Sequence, residues 1–154
     1  MPSSHQMTTS SAISSSRPLA ANRLTTRFGH SWSAAPPPDF EASPFTGPAY
    51  GDERSFNGLR LAGAIAKRDG TTVRIFCLGD SVGCAIKGQT VPNGYYHLDR
   101  MLISAAQHGA EVGLCGTCMD ARGITDDVLV DAARRSTFEE LTDWVLWADK
   151  TVTF

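Results

Sequence analysis

Residues 112–123, VGLCGTCMDARG, contain the side chains of this chain whose types and spacing best suit chemistry. A short apolar run ends at Cys115, and Cys118 follows three residues later. In a parallel α/β protein, ligands and reactive groups collect where a strand ends and a helix begins. A thiol placed there lies at the positive end of the helix dipole, which favours the reactive thiolate. Cys115 is therefore the candidate chemical centre.

The two cysteines form a CxxC pair, for which the residues alone leave three interpretations. A redox dithiol of the thioredoxin type is one, although no Trp precedes Cys115 and the predicted order of strands and helices differs from that fold. Half of a zinc site is another, but its other half would have to come from Cys77 and Cys84, and we expect Cys77 inside a strand, facing the core. The third is a pair of small, buried, unreactive thiols. The strand-end position and the glycines on both sides of Cys115 favour a functional thiol.

The composition argues against two classes of function. No apolar run approaches the ~20 residues that a membrane-spanning helix needs. The 154-residue chain has a net charge of −2. Residues 1–38 hold three of its 14 basic residues and none of its 16 acidic ones, so the remainder is acidic and unsuited to a nucleic-acid backbone. The N-terminus lacks the order of charged, apolar and cleavage-site segments of a signal peptide. We expect a cytoplasmic protein without a nucleic-acid or membrane partner.

Residues 1–47 form a Ser- and Pro-rich N-terminal extension without hydrophobic periodicity. Such a segment buries too little apolar surface to offset its ordering entropy, so we expect it to be disordered. A targeting peptide, a disordered tail and an artefact of an upstream start codon are three explanations. The last two are favoured, because a targeting assignment would rest on composition alone. Residues 48–154 are expected to form one α/β domain.

Hydrophobic periodicity predicts alternating helices and strands in the domain. This alternation favours a parallel sheet with helices on both faces. The last helix starts with a capping-box pattern from Ser136 to Glu139. Its apolar face should be buried through Phe138, Leu141, Trp144 and Val145. The predicted helices lie near 54–68, 95–108, 125–130 and 136–148, the strands near 71–78, 110–114 and 150–154, a long loop at 79–94, and a short strand or link at 131–135.

Several blocks of the sequence occur in the same order as in a known family. They are PAYGDE (48–53), NGLRLA (57–62), FCLGDSV (76–82), GYYHLDRML (94–102) and ADKTVTF (148–154). Together with Cys115 and the pair Arg122-Gly123, they make the chain resemble the DsrE/DsrF-like family, the DsrE/TusD type of sulfur-relay protein. The resemblance covers residues 48–154 and points to a subgroup with a CGTC-like motif.

The resemblance implies a flavodoxin-like three-layer sandwich with a mostly parallel sheet, assembled as a homotrimer or homohexamer. It also implies that Cys115 carries sulfur as a persulfide and passes it on, so the expected partners are sulfur donor and acceptor proteins. In the family a β-strand precedes the Pro-Tyr-Gly motif. Residues 39–46 have a poor strand composition, so we expect this strand to be degraded or replaced. Members with defined roles do not uniformly carry Cys118.

A persulfide needs donors for the negative charge of its terminal sulfur. Arg122 would add positive potential, and its alternative role is a surface ion pair with Asp120 or Asp126. A glycine after the cysteine lets backbone N–H groups approach closely. The residues expected to stabilise the persulfide are Gly116, Thr117, Arg122 and Gly123.

The remaining cysteines each have a structural alternative. Cys118 either resolves the persulfide, releasing sulfide and leaving a disulfide, or is a buried helix residue. Cys84 either reaches the site as a second acceptor or, as we favour, packs beneath its loop. Cys77 is expected in the core.

The expected function is sulfur handling, with sulfurtransferase activity if the protein turns over. A non-catalytic oligomeric scaffold or regulatory subunit, and a dithiol oxidoreductase using the CxxC pair, are the alternatives. Flavin mononucleotide is the rival ligand that the fold suggests, but no loop rich in Ser/Thr and Gly suits its phosphate. We expect no cofactor and no metal.

Overall fold

A computed structural model of the chain describes residues 40–154, with side chains from Pro44 onward. Disorder was expected for residues 1–47, of which residues 1–39 lie outside the described residues. Two 3₁₀ helices, Gly79–Ala85 and Asp126–Val128, lie in the connections. The strands and α-helices are β1 (Phe40–Phe45), α1 (Arg54–Ala66), β2 (Val73–Cys77), α2 (Leu98–Gln107), β3 (Glu111–Cys115), α3 (Gly116–Asp120), β4 (Arg134–Ser136), α4 (Phe138–Trp147) and β5 (Lys150–Thr151).

The strands form one parallel sheet in the order β4-β3-β2-β1-β5. All carboxyl ends of the strands therefore lie at one edge, where β3 delivers Cys115. The predicted α/β fold with a mostly parallel sheet is confirmed. Every helix within residues 40–154 is too short or too polar to cross a lipid bilayer.

Alternating side chains of the central strands explain the three layers, because successive residues of a strand point to opposite faces. Ile75 and Cys77 of β2 belong to the core that α1 and α2 cover, while Phe76 lies on the other face against Leu141 and Trp144 of α4. The Phe76 and Trp144 rings meet edge to face at 5.8 Å. Cys115 belongs to the α4 side of the sheet.

The first strand departs from the sequence expectation. Residues 40–45 form β1 between β2 and β5, so the expectation of a degraded or replaced strand was wrong. Pro44 has no N–H group for the ladder, and the pairing of β1 with β2 shifts register between Ala42 and Phe45. The partners on both sides outweigh the poor local propensity. The sheet therefore starts before residue 48, where the sequence placed the start of the domain.

Two details of α4 were also predicted wrongly. The N-cap is Thr137, whose hydroxyl accepts a hydrogen bond from the Glu140 amide at 3.2 Å, whereas Ser136 ends β4. Phe138 and Val145 are 66% and 42% exposed rather than buried. The burial of Leu141 and Trp144 is confirmed.

Candidate functional site

Cys115 is both the last residue of β3 and the N-cap residue of α3. It pairs with Ser136 of β4 across the sheet. A side chain at position 116 would meet neighbouring atoms, since an added Cβ would lie 3.1 Å from the Arg135 guanidinium and 3.2 Å from the Ser136 carbonyl oxygen. Gly116 therefore allows the strand to turn directly into the helix beside β4.

The Cys115 thiol is 6% exposed and surrounded by hydrogen-bonding groups. Its Sγ lies 3.1 Å from the Thr117 hydroxyl. Burial raises the pKa of Cys115, but hydrogen bonds from the Cys118 thiol, the Thr117 hydroxyl and the backbone amides of both residues outweigh it. The pKa of Cys115 is therefore lower than that of an ordinary thiol, which favours the nucleophilic thiolate.

Cys118 has the opposite acidity. Burial and its hydrogen bond to Cys115 raise the pKa of Cys118. The Gly79 amide, which donates to Cys118 Sγ at 3.2 Å, and the positive charge of Arg122 lower it by less. Cys118 is thus the hydrogen-bond donor of the pair, and Cys115 is the acceptor and the more acidic thiol. Cys118 is half-buried, so neither sequence alternative is decided by its burial alone.

Arg122 and Gly123 follow α3 in the chain, and Arg122 contacts Cys118. The Arg122 guanidinium donates to the Asp80 carboxylate at 2.6 and 3.0 Å and to the Cys118 carbonyl oxygen at 2.9 Å. The expected ion-pair partners of Arg122, Asp120 and Asp126, were therefore wrong. Gly123 takes a positive φ of 63° in the turn that follows α3.

Arg135 of β4 forms the ion pairs with Asp120 and Asp126 that were expected of Arg122. Its guanidinium binds the carboxylates of Asp120 at 2.9 Å and Asp126 at 3.1 Å, and donates to the Gly116 carbonyl oxygen at 3.2 Å. It thereby connects β4 to the turn that follows Cys115.

A cavity of about 580 Å³ opens beside Cys115. Its walls come from α3, β4 and the first turn of α4. Behind this wall, the Ser136 hydroxyl donates to the Glu140 carboxylate, which also binds Arg134. The Arg134 guanidinium lowers the pKa of Glu140 to about 2, so Ser136 has an ionised acceptor at neutral pH. The lining residues are Cys115, Gly116, Thr117, Asp120, Arg135, Ser136, Thr137, Phe138 and Glu139.

Cys84 and Cys77 lie apart from this cavity in the core under α1 and α2. Cys84 is 1% exposed in the first 3₁₀ helix, and burial raises its pKa to about 11. Burial also raises the pKa of Cys77. Burial therefore disfavours the reactive thiolate at both residues. No three His, Cys, Asp or Glu side chains of residues 44–154 are grouped as a metal site.

Sequence reasoning found Cys115 but missed much of its surroundings. Arg135 and Glu139 reach the cavity through β4 and α4, far along the chain from Cys115. The sequence signal for β4 is weak because the strand has three residues. The segment Arg134-Arg135-Ser136 directly before a capped helix is the only sequence signal for a strand end beside Cys115.

Comparisons with known proteins agree with the fold. The DsrE/DsrF-like family model matches residues 44–154. Protein YchN of Escherichia coli strain K12 is 38% identical over 109 residues, covering 70% of this chain and 92% of YchN. An uncharacterised protein of Methanocaldococcus jannaschii is 36% identical over 105 residues, covering 68% of this chain and 90% of that protein.

The crystal structure of the ychN protein from E. coli is similar to this one. It superimposes with a TM-score of 0.69 at 36% sequence identity, over 75% of this chain and 99% of that chain. The family match covers every strand and helix described here except the start of β1. The chain thus belongs to the DsrE/DsrF-like family, which is known broadly for sulfur relay.

Proposed function

We propose that Cys115 carries sulfane sulfur as a persulfide and relays it to a partner protein. The observation that carries this proposal is the Cys115 thiol itself. It is buried at a strand end, its pKa is lowered by donors from Thr117 and Cys118, and it faces a cavity large enough for a reacting group. Family membership supports sulfur relay in general, and the geometry supports this residue.

Loading is a nucleophilic substitution at sulfur. The Cys115 thiolate attacks the outer sulfur of a donor persulfide, its lone pair forms the new S–S bond, and the donor's S–S bond breaks. The donor leaves as a thiolate, and Cys115 holds the persulfide. The donors that lower the pKa of Cys115 stabilise negative charge at this point of the site.

Delivery is the same reaction in reverse. An acceptor thiolate enters the cavity, attacks the outer sulfur of the Cys115 persulfide and takes it, which regenerates the Cys115 thiolate. Neither step changes the total oxidation state, so no cofactor is needed. Gly116, Thr117 and Arg135 surround this exchange, whereas Arg122 acts on Cys118.

Mass spectrometry after incubation with cysteine persulfide tests this function. We expect one added sulfur atom (about 32 Da) on the Cys115 peptide and none on the buried Cys77 and Cys84 peptides. Thiosulfate serves as a second donor, and Cys115→Ser is the negative control. A Cys115 peptide that is alkylated normally by iodoacetamide but never gains sulfur from either donor would eliminate the carrier function.

A dithiol oxidoreductase is the second candidate, because the two thiols of the CxxC have opposite pKa shifts. This arrangement suits a nucleophile and a resolving thiol. It predicts a Cys115–Cys118 disulfide that dithiothreitol reverses at a measurable rate. Sulfur loading that survives Cys118→Ser favours the carrier, whereas disulfide exchange that Cys118→Ser abolishes, without any sulfur loading, favours the oxidoreductase.

Assembly and subgroup remain predictions from the resemblance. A homotrimer or homohexamer is expected, and sedimentation velocity of the full chain measures it. Membership of a CGTC-containing subgroup also remains a prediction. A scaffold with structural cysteines would assemble equally well but would fail to gain sulfur on Cys115.

A further inference from the structure

The charges around the Cys115 cavity are predominantly negative. Asp120 and Glu139 line it, and both are exposed. We call these two residues the acidic rim. Arg135 is the cation among the lining residues.

Arg135 offsets the charge of Asp120, but it is not available to an incoming anion. Its guanidinium is occupied by two carboxylates, those of Asp120 at 2.9 Å and Asp126 at 3.1 Å, and by the Gly116 carbonyl oxygen. An anionic ligand would have to displace one of them. Arg135 therefore acts as a brace between β4 and α3 rather than as a free anion receptor.

The first turn of α4 contributes little positive potential to the cavity. A helix N-terminus carries about half a positive charge. Here that turn holds Glu139 and Glu140, and the Thr137 hydroxyl occupies the Glu140 amide. Glu140 is paired with Arg134, but Glu139 has no ion pair among the described residues and points its full charge at the cavity side of the helix.

Phe138 adds an apolar surface beside the rim. Its ring is 66% exposed although it lines the cavity. An exposed aromatic ring next to a carboxylate is a favourable place for a lysine or arginine, because the ring face attracts the cation while the carboxylate pairs with it. The aliphatic stem of the same side chain would cover the ring.

We propose that the sulfur acceptor presents its cysteine on a segment flanked by basic residues, and that the acidic rim and Phe138 select that segment. This inference rests on the proposed carrier function. It identifies the partner by charge: a basic, cysteine-bearing segment of another protein. An acidic segment of the same length is rejected at the rim before its thiol reaches the persulfide.

The test uses the full chain, loaded on Cys115 with cysteine persulfide and freed of donor. Two blocked peptides of equal length, each with a single cysteine, then compete for the sulfur. The cysteine is flanked by lysines in one and by glutamates in the other. Because the flanking charges also alter the thiol itself, each transfer rate is divided by the rate of that peptide with the neutral disulfide 4,4′-dithiodipyridine.

The key comparison is between Glu139→Gln and Asp69→Asn. Both remove one exposed carboxylate, but Asp69 precedes β2 and lies at the opposite edge of the sheet from the cavity. We expect the lysine peptide to be faster in the unmodified protein. Glu139→Gln should reduce the lysine-to-glutamate rate ratio about threefold, Glu139→Lys should invert it, and Asp69→Asn should leave it unchanged. Raising the salt concentration should reduce the ratio, since the charges are exposed.

Equal normalised rates for the two peptides would overturn the inference, as would equal effects of Glu139→Gln and Asp69→Asn. A protein that fails to load at all contradicts the carrier function, which is a separate outcome seen in the first step.

Discussion

Two thiols one helical turn apart differ in acidity because of the donors around them. Cys115 accepts hydrogen bonds from Thr117 and Cys118, whereas Cys118 is the donor in the hydrogen bond between the two thiols. The site itself therefore makes Cys115 the more acidic thiol and Cys118 the less acidic one.

Thr117→Val should make Cys115 a weaker acid. Losing the 3.1 Å contact from Thr117 Oγ1 removes stabilisation of the thiolate only, so the pKa of Cys115 rises and less thiolate is present near neutral pH. We expect iodoacetamide alkylation of Cys115 to slow by about fivefold at neutral pH, the factor of one net hydrogen bond, and to recover at alkaline pH. Thr90→Val, an exposed threonine outside the cavity lining, is the control. An unchanged pH profile for Thr117→Val would contradict this role.

Arg122→Gln should act on Cys118 and spare Cys115. Its positive charge lowers the pKa of Cys118, so its removal leaves more Cys118 protonated. If Cys118 resolves the persulfide, release of sulfide from loaded protein without added thiol should slow about two- to threefold, while loading is unchanged. Arg68→Gln, two residues beyond the end of α1, is the matched control. Sulfide release that is equal in the two variants would remove Cys118 from the resolving role.

At the scale of elements, a close approach of α1 and β1 holds one side of the sheet. An added Cβ at Gly58 would lie 1.8 Å from Cε1 of Phe45. Phe45 is fully buried and stacks on the Phe154 ring at 5.9 Å, so it has no free space to move into. The glycine is therefore required by packing rather than by its backbone angles.

Gly58→Ala and Gly63→Ala should change stability in opposite directions. Both lie inside α1, but nothing lies within 4 Å of a Cβ at Gly63. Gly63→Ala should stabilise the protein by about 0.5–1 kcal/mol through helix propensity. Gly58→Ala should destabilise it by about 2–3 kcal/mol through overpacking against Phe45. Urea unfolding followed by circular dichroism measures both, and equal midpoints would show that α1 and β1 are not so closely packed.

At the scale of the whole molecule, β1 is an interior strand despite its weak sequence. It pairs with β2 on one side and β5 on the other. Without it, β2 becomes an exposed edge and β5 has no partner. Whether the sheet is complete therefore depends on β1.

A chain that starts at residue 48 should lose cooperative unfolding and aggregate. A chain that starts at Ala35 keeps β1 and should unfold cooperatively. Thermal unfolding and size-exclusion chromatography of the two chains provide the comparison. If the shorter chain were monodisperse and unfolded at the same temperature, β1 would contribute nothing to the sheet.

The sequence predicted those features that local pattern controls. The period of apolar residues located α1, β2, α2 and β3, and the glycines around Cys115 marked the strand end. It failed where tertiary pairing decides. Pro44 made the sequence of β1 a poor strand candidate, and β4 is too short, at three residues, for its pattern to predict the position of Arg135. The N-cap is Thr137 and not the predicted Ser136, because Ser136 belongs to β4.

The pairing of the first strand with the last also has a consequence for synthesis of the protein. β1 holds the carboxyl-terminal segment through Lys150 and Thr151, and the Thr46 amide donates to the Phe154 carbonyl oxygen at 3.0 Å. On the ribosome, β1 is synthesised long before residues 150–154, so this side of the sheet cannot close until those residues are present. Contacts of such long sequence separation fold slowly and leave strand edges exposed meanwhile. This side of the sheet can therefore form only after residues 150–154 have been synthesised.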